Sequence, residues 1–234
     1  LLYYLYIIMI NQLDFDKIPN YPSIVLAGKR RSGKGVMTKD LVFKVFRKRK
    51  LTNAFLFSPT SNIAQNGMEY IPEKNRYTSL DLEVIQAIME RQEALIRDDP
   101  KGNYHILIVI DDIVGSINSK QKEMINKIFI LGRHLQLSIF YCIQEVKNSF
   151  TTCCRQNSDL VFVFNQSNFF NKEQLAFEFL SVSMDKKEGI KLIDKYAVNH
   201  QSLVILNTNK SGLLKDYVFF YTAEHPIKKF LLKF

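Results

Sequence analysis

Tryptophan is absent from this 234-residue chain, and cysteine is scarce, with only three residues. An odd number of cysteines, two of them adjacent at Cys153 and Cys154, gives no disulfide framework and no metal-ligand spacing, so we expect a reducing compartment. The four histidines show no metal-ligand spacing either, and no serine, histidine and aspartate arrangement predicts a nucleophilic triad. The sequence therefore gives no sign of a disulfide scaffold, a metal centre or a triad hydrolase.

Long hydrophobic runs are also missing. The apolar run over residues 1–10 is shorter than the roughly 20 residues that cross a bilayer, so we expect no stable membrane insertion. It has no basic leader and no small-residue cleavage site, which argues against a signal peptide. Two interpretations of residues 1–8 stay open: sequence translated from upstream of Met9, or an edge strand.

No internal repeat, low-complexity tract or Pro/Gly linker interrupts the chain, and residues 1–234 are therefore predicted to form one domain. We expect an extension over 1–20, a core over 21–164 and the remainder of the sheet with a tail over 165–234. The composition, 47% hydrophobic and 24% charged, is ordinary for a globular protein. The net charge of +9 suggests an acidic partner, either nucleic acid or an anionic surface.

Short apolar runs alternate with segments of helical periodicity. Strands are predicted at 23–27, 53–57, 106–110, 137–143, 160–164, 202–207 and 216–221. Helices are predicted at 36–47, 79–98, 119–131, 171–180 and 185–195, with a polar, irregular insertion over 61–78. This alternation predicts an α/β fold with a mainly parallel central sheet flanked by helices.

A glycine-rich segment joins the first predicted strand to the first predicted helix. We call it the phosphate loop, and its residues are Gly28, Lys29, Arg30, Arg31, Ser32, Gly33, Lys34 and Gly35, followed by Val36. Glycines at positions 28 and 33 permit backbone conformations that let amides point at phosphate oxygens, backed by the helix N-terminus. Lys34 would place its ammonium on the β- and γ-phosphates of ATP. The alternative is a glycine-rich loop without a ligand.

One position departs from the usual phosphate-loop pattern. Gly35 stands where a serine or threonine hydroxyl normally contacts Mg²⁺. Thr38 lies almost a full helical turn further on, too far to replace that hydroxyl directly. We therefore expect weak Mg²⁺ binding, with phosphate binding retained.

Polar residues end two other apolar runs. Asp111 and Asp112 close the run at 106–110, and Asp111 would hold Mg²⁺ through water while Asp112 polarises the attacking water. Gln144 ends the run at 137–143 and would orient that water or sense the γ-phosphate, at the edge where ligands of α/β sheets bind. The alternatives are a surface loop for the acidic pair and a strand-end cap for Gln144.

Two arginines are candidates for a finger inserted into the active site of a neighbouring subunit. Arg133 precedes the strand that Gln144 ends, and Arg155 follows it, so we expect both near the rim of the site. Arg155 is the preferred finger, on a loop free to project outward, and each could instead be a surface arginine. The basic run at 47–50 could touch DNA phosphates, although a solvated helix end, favoured by the helix dipole, is the preferred interpretation.

Five motifs occur in order along the chain. They are GKRRSGKG at 28–35, FSPT at 57–60, LIVIDDI at 107–113, GRHLQLSIFYCIQ at 132–144 and RQNSDLVFVF at 155–164. Together they resemble the poxvirus-type genome-packaging ATPases of the FtsK/HerA superfamily. The resemblance extends from residue 23 to residue 164, and a weaker similarity at 219–230 matches the closing strand and tail of that family.

The resemblance implies a P-loop NTPase with a RecA-type core, in which the glutamine-bearing strand lies between the phosphate-loop strand and the acidic strand. It also implies a homo-oligomeric ring that uses ATP and Mg²⁺ to thread double-stranded DNA without sequence specificity. Partners would be capsid or portal-vertex proteins. The location would be the host cytoplasm or viral factory, or a virion vertex.

Three other functions stay open. One is a cellular DNA translocase of the same superfamily, although the short chain favours the viral type. A second is a small-molecule P-loop kinase, against which the 61–78 insertion counts because it holds a single arginine, Arg76. The third is an ATP-binding assembly factor without hydrolysis, which the glycine at position 35 keeps open.

Overall fold

The computed structural model describes residues 9–63, 67–113, 117–208, 212–224 and 232. The two interpretations of residues 1–8, and the second half (225–230) of the segment at 219–230, lie outside the described residues. Within them, nine strands form one sheet. The strands are β1 (Asn11–Gln12), β2 (Ser23–Ala27), β3 (Asn53–Phe57), β4 (Arg76–Tyr77), β5 (Ile106–Asp111), β6 (Leu137–Ile143), β7 (Leu160–Val163), β8 (Ser202–Leu206) and β9 (Val218–Tyr221).

The strand order is β1-β9-β8-β7-β2-β6-β5-β3-β4. The six strands from β7 to β4 are all parallel to one another. β8 runs antiparallel to both β7 and β9, and β1 pairs in parallel with β9. The predicted α/β fold with a mainly parallel central sheet is therefore confirmed. Its central strands are buried along their whole length, which explains why they are nearly continuous apolar runs.

Helices connect most of these strands. They are α1 (Lys34–Arg49), α2 (Leu82–Asp98), α3 (Ser119–Leu131), α4 (Val146–Ser149), α5 (Thr152–Asn157), α6 (Phe169–Leu180), α7 (Lys186–Tyr196) and α8 (Leu214–Tyr217). Side chains cap the N-termini of the other long helices, with Asp81 on α2, Asn118 on α3, Asn168 on α6 and Asp185 on α7. α1 differs, because its N-cap is Gly33 and no side chain accepts from its first amides. Those amides can therefore bind a ligand.

Several short helices and strands were not predicted from the sequence. The two-residue strands β1 and β4 are too short to show alternation, and β4 lies inside the predicted irregular insertion. α4 and α5 occupy the segment between β6 and β7, where no helix was expected. The predicted strand at 216–221 begins only at Val218, because α8 takes the residues before it.

In the part of the chain that the structure describes, no helix combines the length and the hydropathy needed to span a bilayer.

Candidate functional site

The sheet brings three predicted site residues to one edge. β2, β6 and β5 are parallel neighbours, with β6 in the middle, so their carboxyl ends meet there. Lys34 follows the end of β2, Asp111 ends β5 and Gln144 follows β6. The strand order implied by the resemblance, with the glutamine-bearing strand between the other two, is confirmed.

Backbone hydrogen bonds fix the start of the phosphate loop, and two glycines allow its close packing and its turn. Its first amides donate to strand-end carbonyls, from Gly28 to Ile143 at 3.0 Å and from Lys29 to Asn165 at 3.0 Å. A Cβ added at Gly28 would lie 2.6 Å from the Cβ of Phe164, so only glycine fits there. Gly33 has a φ of 103°, a left-handed conformation that glycine adopts without strain. Both glycines are therefore required by the local geometry.

Lys34 closes back over its own loop. Its Nζ donates to the carbonyl oxygen of Gly28 at 2.7 Å and to that of Lys29 at 3.0 Å. Burial lowers the pKa of Lys34, and the nearby carboxylates of Asp111 and Asp112 oppose that shift. The ammonium thus lies at the end of the loop where phosphate oxygens would replace the two carbonyls.

Asp111 is a half-buried carboxyl beside a second carboxyl. Burial raises its pKa, and the neighbouring Asp112 raises it further. Hydrogen bonds from Cys142 and Ser58, and the charge of Lys34, act in the opposite direction. A divalent cation beside this carboxylate would stabilise its ionised form, and Mg²⁺ in phosphate sites takes one or two carboxylates plus phosphate oxygens and water. Among the described residues no group of three or more His, Cys, Asp or Glu side chains could hold a metal ion.

The hydroxyl of Thr38 is engaged elsewhere. It donates to the carbonyl oxygen of Lys34 at 2.9 Å and lies 3.4 Å from the Sγ of Cys142. A Cβ added at Gly35 would meet no heavy atom within 4 Å. The loop therefore has room for the missing hydroxyl, and Thr38 does not supply it. Weak Mg²⁺ binding stays a prediction.

Asp112 and Gln144 form a pair. The Nε2 of Gln144 donates to the Oδ1 of Asp112, whose backbone is left-handed with a φ of 50°. Left-handed backbone in a residue other than glycine is a strain that folded proteins often keep at functional sites. A cavity of about 250 Å³ adjoins both side chains, which gives space for a water molecule beside the pair. The pair can therefore orient a water and accept its proton.

A larger cavity of about 780 Å³ lies over the phosphate loop. It includes most of the predicted site residues, namely Arg30, Arg31, Gly33, Lys34, Gly35, Val36, Asp111, Asp112 and Gln144. Of the other predicted loop residues, Lys29 is exposed, and Ser32 is buried with no partner for its Oγ among the described residues.

The cavity also includes residues that the sequence did not indicate: Lys39, Gly67, Met68, Asn199, His200, Thr222, Ala223 and Glu224. Residues 222–224 lie in the segment of weaker similarity at 219–230, which was given no role in the site, and no motif marks Asn199 or His200. All five reach the site because β8 and β9 pair beside β7.

Both candidate arginines lie away from this cavity. Arg133 is exposed in a short 3-10 helix before β6, and Arg155 lies in α5 before β7, so both are at the opposite edge of the sheet. The expectation that they flank the rim of the site is therefore wrong. Each arginine precedes a parallel strand, whereas the site lies at the carboxyl ends of the strands, so the length of a strand separates each arginine from the site. Arg155 does not project outward either. Its guanidinium donates to the carbonyl of Phe150 and pairs with Glu178 at 3.2 Å.

The basic run at 47–50 also lies far from the phosphate loop. α1 starts at Lys34 beside the loop and ends at Arg49, so the run is at the other end of a 16-residue helix. The Nζ of Lys48 pairs with the carboxylate of Asp16, and both side chains are largely exposed. This placement agrees with a solvated helix end.

Known viral proteins resemble the chain in sequence and in fold. Residues 12–219 match the family described as Poxvirus A32 protein. Uncharacterized protein L437 of Acanthamoeba polyphaga mimivirus is 24% identical over 223 residues, which cover 91% of this chain and 76% of the relative. Uncharacterized protein 088R of Invertebrate iridescent virus 3 is 24% identical over 230 residues, which cover 92% and 85%.

The fold is shared with a solved viral NTPase. The genome packaging NTPase B204 from Sulfolobus turreted icosahedral virus 2, in complex with AMPPCP, superposes with a TM-score of 0.57 and 13% identity. The superposition covers 88% of this chain and all of B204. The chain therefore has the fold of the P-loop NTPases of FtsK/HerA type.

Proposed function

Because the chain belongs to the poxvirus A32 protein family, we propose that it is an ATP-hydrolysing motor that packages double-stranded viral DNA into a preformed capsid. The observation that carries this proposal is the meeting of Lys34, Asp111 and the Asp112–Gln144 pair at one sheet edge, beside a cavity of about 780 Å³. The fold shared with B204, a genome packaging NTPase, supports it.

The phosphate loop binds the triphosphate of ATP. Its amides and the uncapped N-terminus of α1 face the phosphate oxygens, which carry the charge that a helix N-terminus attracts. Lys34 exchanges its bonds to the Gly28 and Lys29 carbonyls for the β- and γ-phosphates. Charge that develops on the γ-phosphoryl group is then stabilised by an ammonium that the loop holds in place.

Asp111 would hold Mg²⁺ through water. The ion would supply neutralisation of the negative charge of the phosphates. Gln144 donates its amide to Asp112, which leaves its carbonyl oxygen able to accept from a water. Asp112 accepts the proton of that water as it attacks the γ-phosphorus, and ADP and phosphate leave.

Double-stranded DNA and a ring of identical subunits complete the motor. The net charge of +9 supports contacts to the DNA backbone, which carry no sequence information. Of the two candidate arginines, Arg133 is exposed and Arg155 is tied within its own subunit, so Arg133 is now the better candidate to act on a neighbour. The ring works where virions are assembled, against capsid or portal-vertex proteins.

Hydrolysis with and without double-stranded DNA tests the function. A motor turns over ATP faster with DNA of any sequence, and its DNA affinity falls with salt by about −0.9 in log–log slope for each phosphate neutralised. Turnover that requires a small phosphate acceptor would identify a kinase instead. Binding of ATP without turnover would identify an assembly factor.

A further inference from the structure

The large cavity has two ends that differ in chemistry. Asp111, Asp112 and Gln144 lie on the β5–β6 side of the phosphate loop, and the groups that act on a γ-phosphate must lie at that end. A nucleotide whose phosphates occupy the loop therefore extends its base toward the other side. On that side the sheet continues through β7, β8 and β9.

The antiparallel pairing of β8 delivers residues to this second end. Since β8 runs opposite to β7, the segment that precedes it, with Asn199 and His200, lies at the same edge as the phosphate loop. Both residues have left-handed backbone, with φ values of 50° and 65°. Two consecutive residues in this conformation turn the chain sharply just before the strand. A Cβ added at Gly33 would lie 3.1 Å from both the Cβ and the Nδ1 of His200, so the imidazole packs against the phosphate loop.

The surfaces available at this end suit a flat, apolar ligand. His200 carries the one aromatic ring among the described residues that line the cavity. Val36, in the first turn of α1, lines the same cavity and leaves 45% of its surface exposed although it is apolar. Ala223, which follows β9, adds a further small apolar group. A purine base buries both of its faces best against an aromatic ring and aliphatic carbon.

We propose that His200 stacks on the nucleobase of the bound nucleotide, with Val36 as the apolar contact beside it. The inference rests on the proposed function, because it takes the phosphate loop to hold a nucleoside triphosphate. It adds a base-binding residue that lies outside every phosphate-loop and acidic motif. Because stacking acts on the base, His200 contributes to nucleotide affinity and not to the chemistry at the γ-phosphate.

The test compares ATP with inorganic tripolyphosphate, which has the phosphates but no base. His200→Asn removes the ring and keeps a residue type that tolerates left-handed backbone. We expect it to weaken ATP binding about tenfold, within the range of base–aromatic stacking, and to leave tripolyphosphate binding unchanged. His134→Asn, an exposed histidine at the opposite edge, is the matched control and should change neither affinity.

Equal weakening of both ligands by His200→Asn would overturn the proposal, because it would assign the histidine to the phosphates. Unchanged ATP affinity would overturn it as well. Lys34→Ala separates this failure from failure of the proposed function, since loss of the phosphate site should abolish binding of both ligands. If Lys34→Ala retains both affinities, the phosphate loop itself is misassigned.

A fluorescent variant gives an independent reading. The chain contains no tryptophan, so His200→Trp introduces a single reporter at the proposed stacking position. We expect ATP to quench its fluorescence and tripolyphosphate to leave it unchanged, with ATP affinity higher than in His200→Asn. Equal quenching by both ligands would contradict stacking on the base. If strain at the left-handed position prevents this variant from folding, the Asn variant alone decides.

Discussion

The two edges of the sheet hold polar residues of different kinds. At the edge where the parallel strands begin, buried polar groups bond to one another. His105 and Ser138 are fully buried and their Nε2 and Oγ lie 2.7 Å apart, while Asp159 accepts from the amide of Ser23 at 2.7 Å. These bonds satisfy groups that burial would otherwise make costly, so this edge contributes to stability.

At the edge where the parallel strands end, polar side chains face a cavity. Asp111 is a half-buried carboxyl whose pKa is raised by desolvation and by a neighbouring carboxylate, and the Oγ of Ser32 is buried without a partner among the described residues. Asp112 and His200 keep left-handed backbone there. The comparison shows that polarity alone does not locate the site. What distinguishes this edge is that its polar side chains line a cavity in which a ligand can satisfy them.

The largest expected effect of a single substitution is at the cavity edge. Lys34→Ala removes the ammonium that bridges the phosphate loop, and we expect ATP turnover to fall by at least about 100-fold. The fold should persist, because the hydrogen bonds that the lysine ammonium donates go to carbonyls of its own loop. Turnover and circular dichroism measure the two effects, with Lys101→Ala, an exposed lysine at the other edge, as control. Wild-type turnover in Lys34→Ala would show that the cavity edge is not the active site.

Arg155→Ala distinguishes the two edges most directly. Its partly buried guanidinium pairs with Glu178 and bonds Phe150, so we expect a loss of about 1.5–3 kcal/mol in the free energy of unfolding. Arg133→Ala, an exposed neighbour at the same edge, should change that free energy by less than about 0.5 kcal/mol. Urea unfolding of both variants measures this.

The alternative role of Arg155 gives a different result. A finger residue lowers turnover in the assembled ring by about 10³–10⁵-fold and leaves stability unchanged. That outcome for Arg155→Ala would contradict the assignment of one sheet edge to stability and the other to catalysis. A mixture of Arg155→Ala and Lys34→Ala subunits should then recover part of the activity.

Ser138→Ala tests the stabilising edge alone. It removes the hydroxyl that the buried His105 contacts, and we expect a loss of about 1–3 kcal/mol in the free energy of unfolding. Turnover per folded molecule should stay at the wild-type value, because the pair lies at the far ends of β5 and β6. A thermal melt and a rate measurement on the same sample check both. Loss of turnover without loss of stability would be unexpected.

The smallest effect is expected at Gly35. Gly35→Ser fits without a clash and supplies the missing hydroxyl, so half-maximal turnover should require several-fold less Mg²⁺. Gly35→Ala adds the Cβ without the hydroxyl. It therefore separates binding of Mg²⁺ by the hydroxyl from the gain of about 1 kcal/mol in helix stability that replacing a helical glycine gives. If serine and alanine behave alike in a Mg²⁺ titration, position 35 does not contact the ion.

The sequence predicted the parallel half of the fold closely. β2, β3 and β6 begin and end at the predicted residues, because buried parallel strands are apolar throughout and turn residues bound them. It could not predict that β8 runs antiparallel, since strand direction depends on pairing between distant segments. The residues at 199–200 and 222–224 were missed for that reason.

The placement of the arginines failed for a geometric reason. Arg133 and Gln144 are close in sequence, but the seven-residue strand β6 lies between them. A strand of that length rises about 23 Å, which separates the two residues across the whole sheet. A residue near a site residue in the sequence is therefore also near it in space only when no strand lies between the two.

The bonds of Lys34 to its own loop have a consequence for the working cycle. Since the ammonium has two acceptors in its own loop, a nucleotide that binds there exchanges hydrogen bonds and does not simply add them. The reverse exchange lowers the cost of losing the spent nucleotide, because the lysine returns to the carbonyls of Gly28 and Lys29 as the phosphates leave. We expect a loop whose lysine has acceptors within the loop itself to favour rapid release of ADP and phosphate over tight binding of these products. Rapid release suits a motor that must release product in every catalytic cycle.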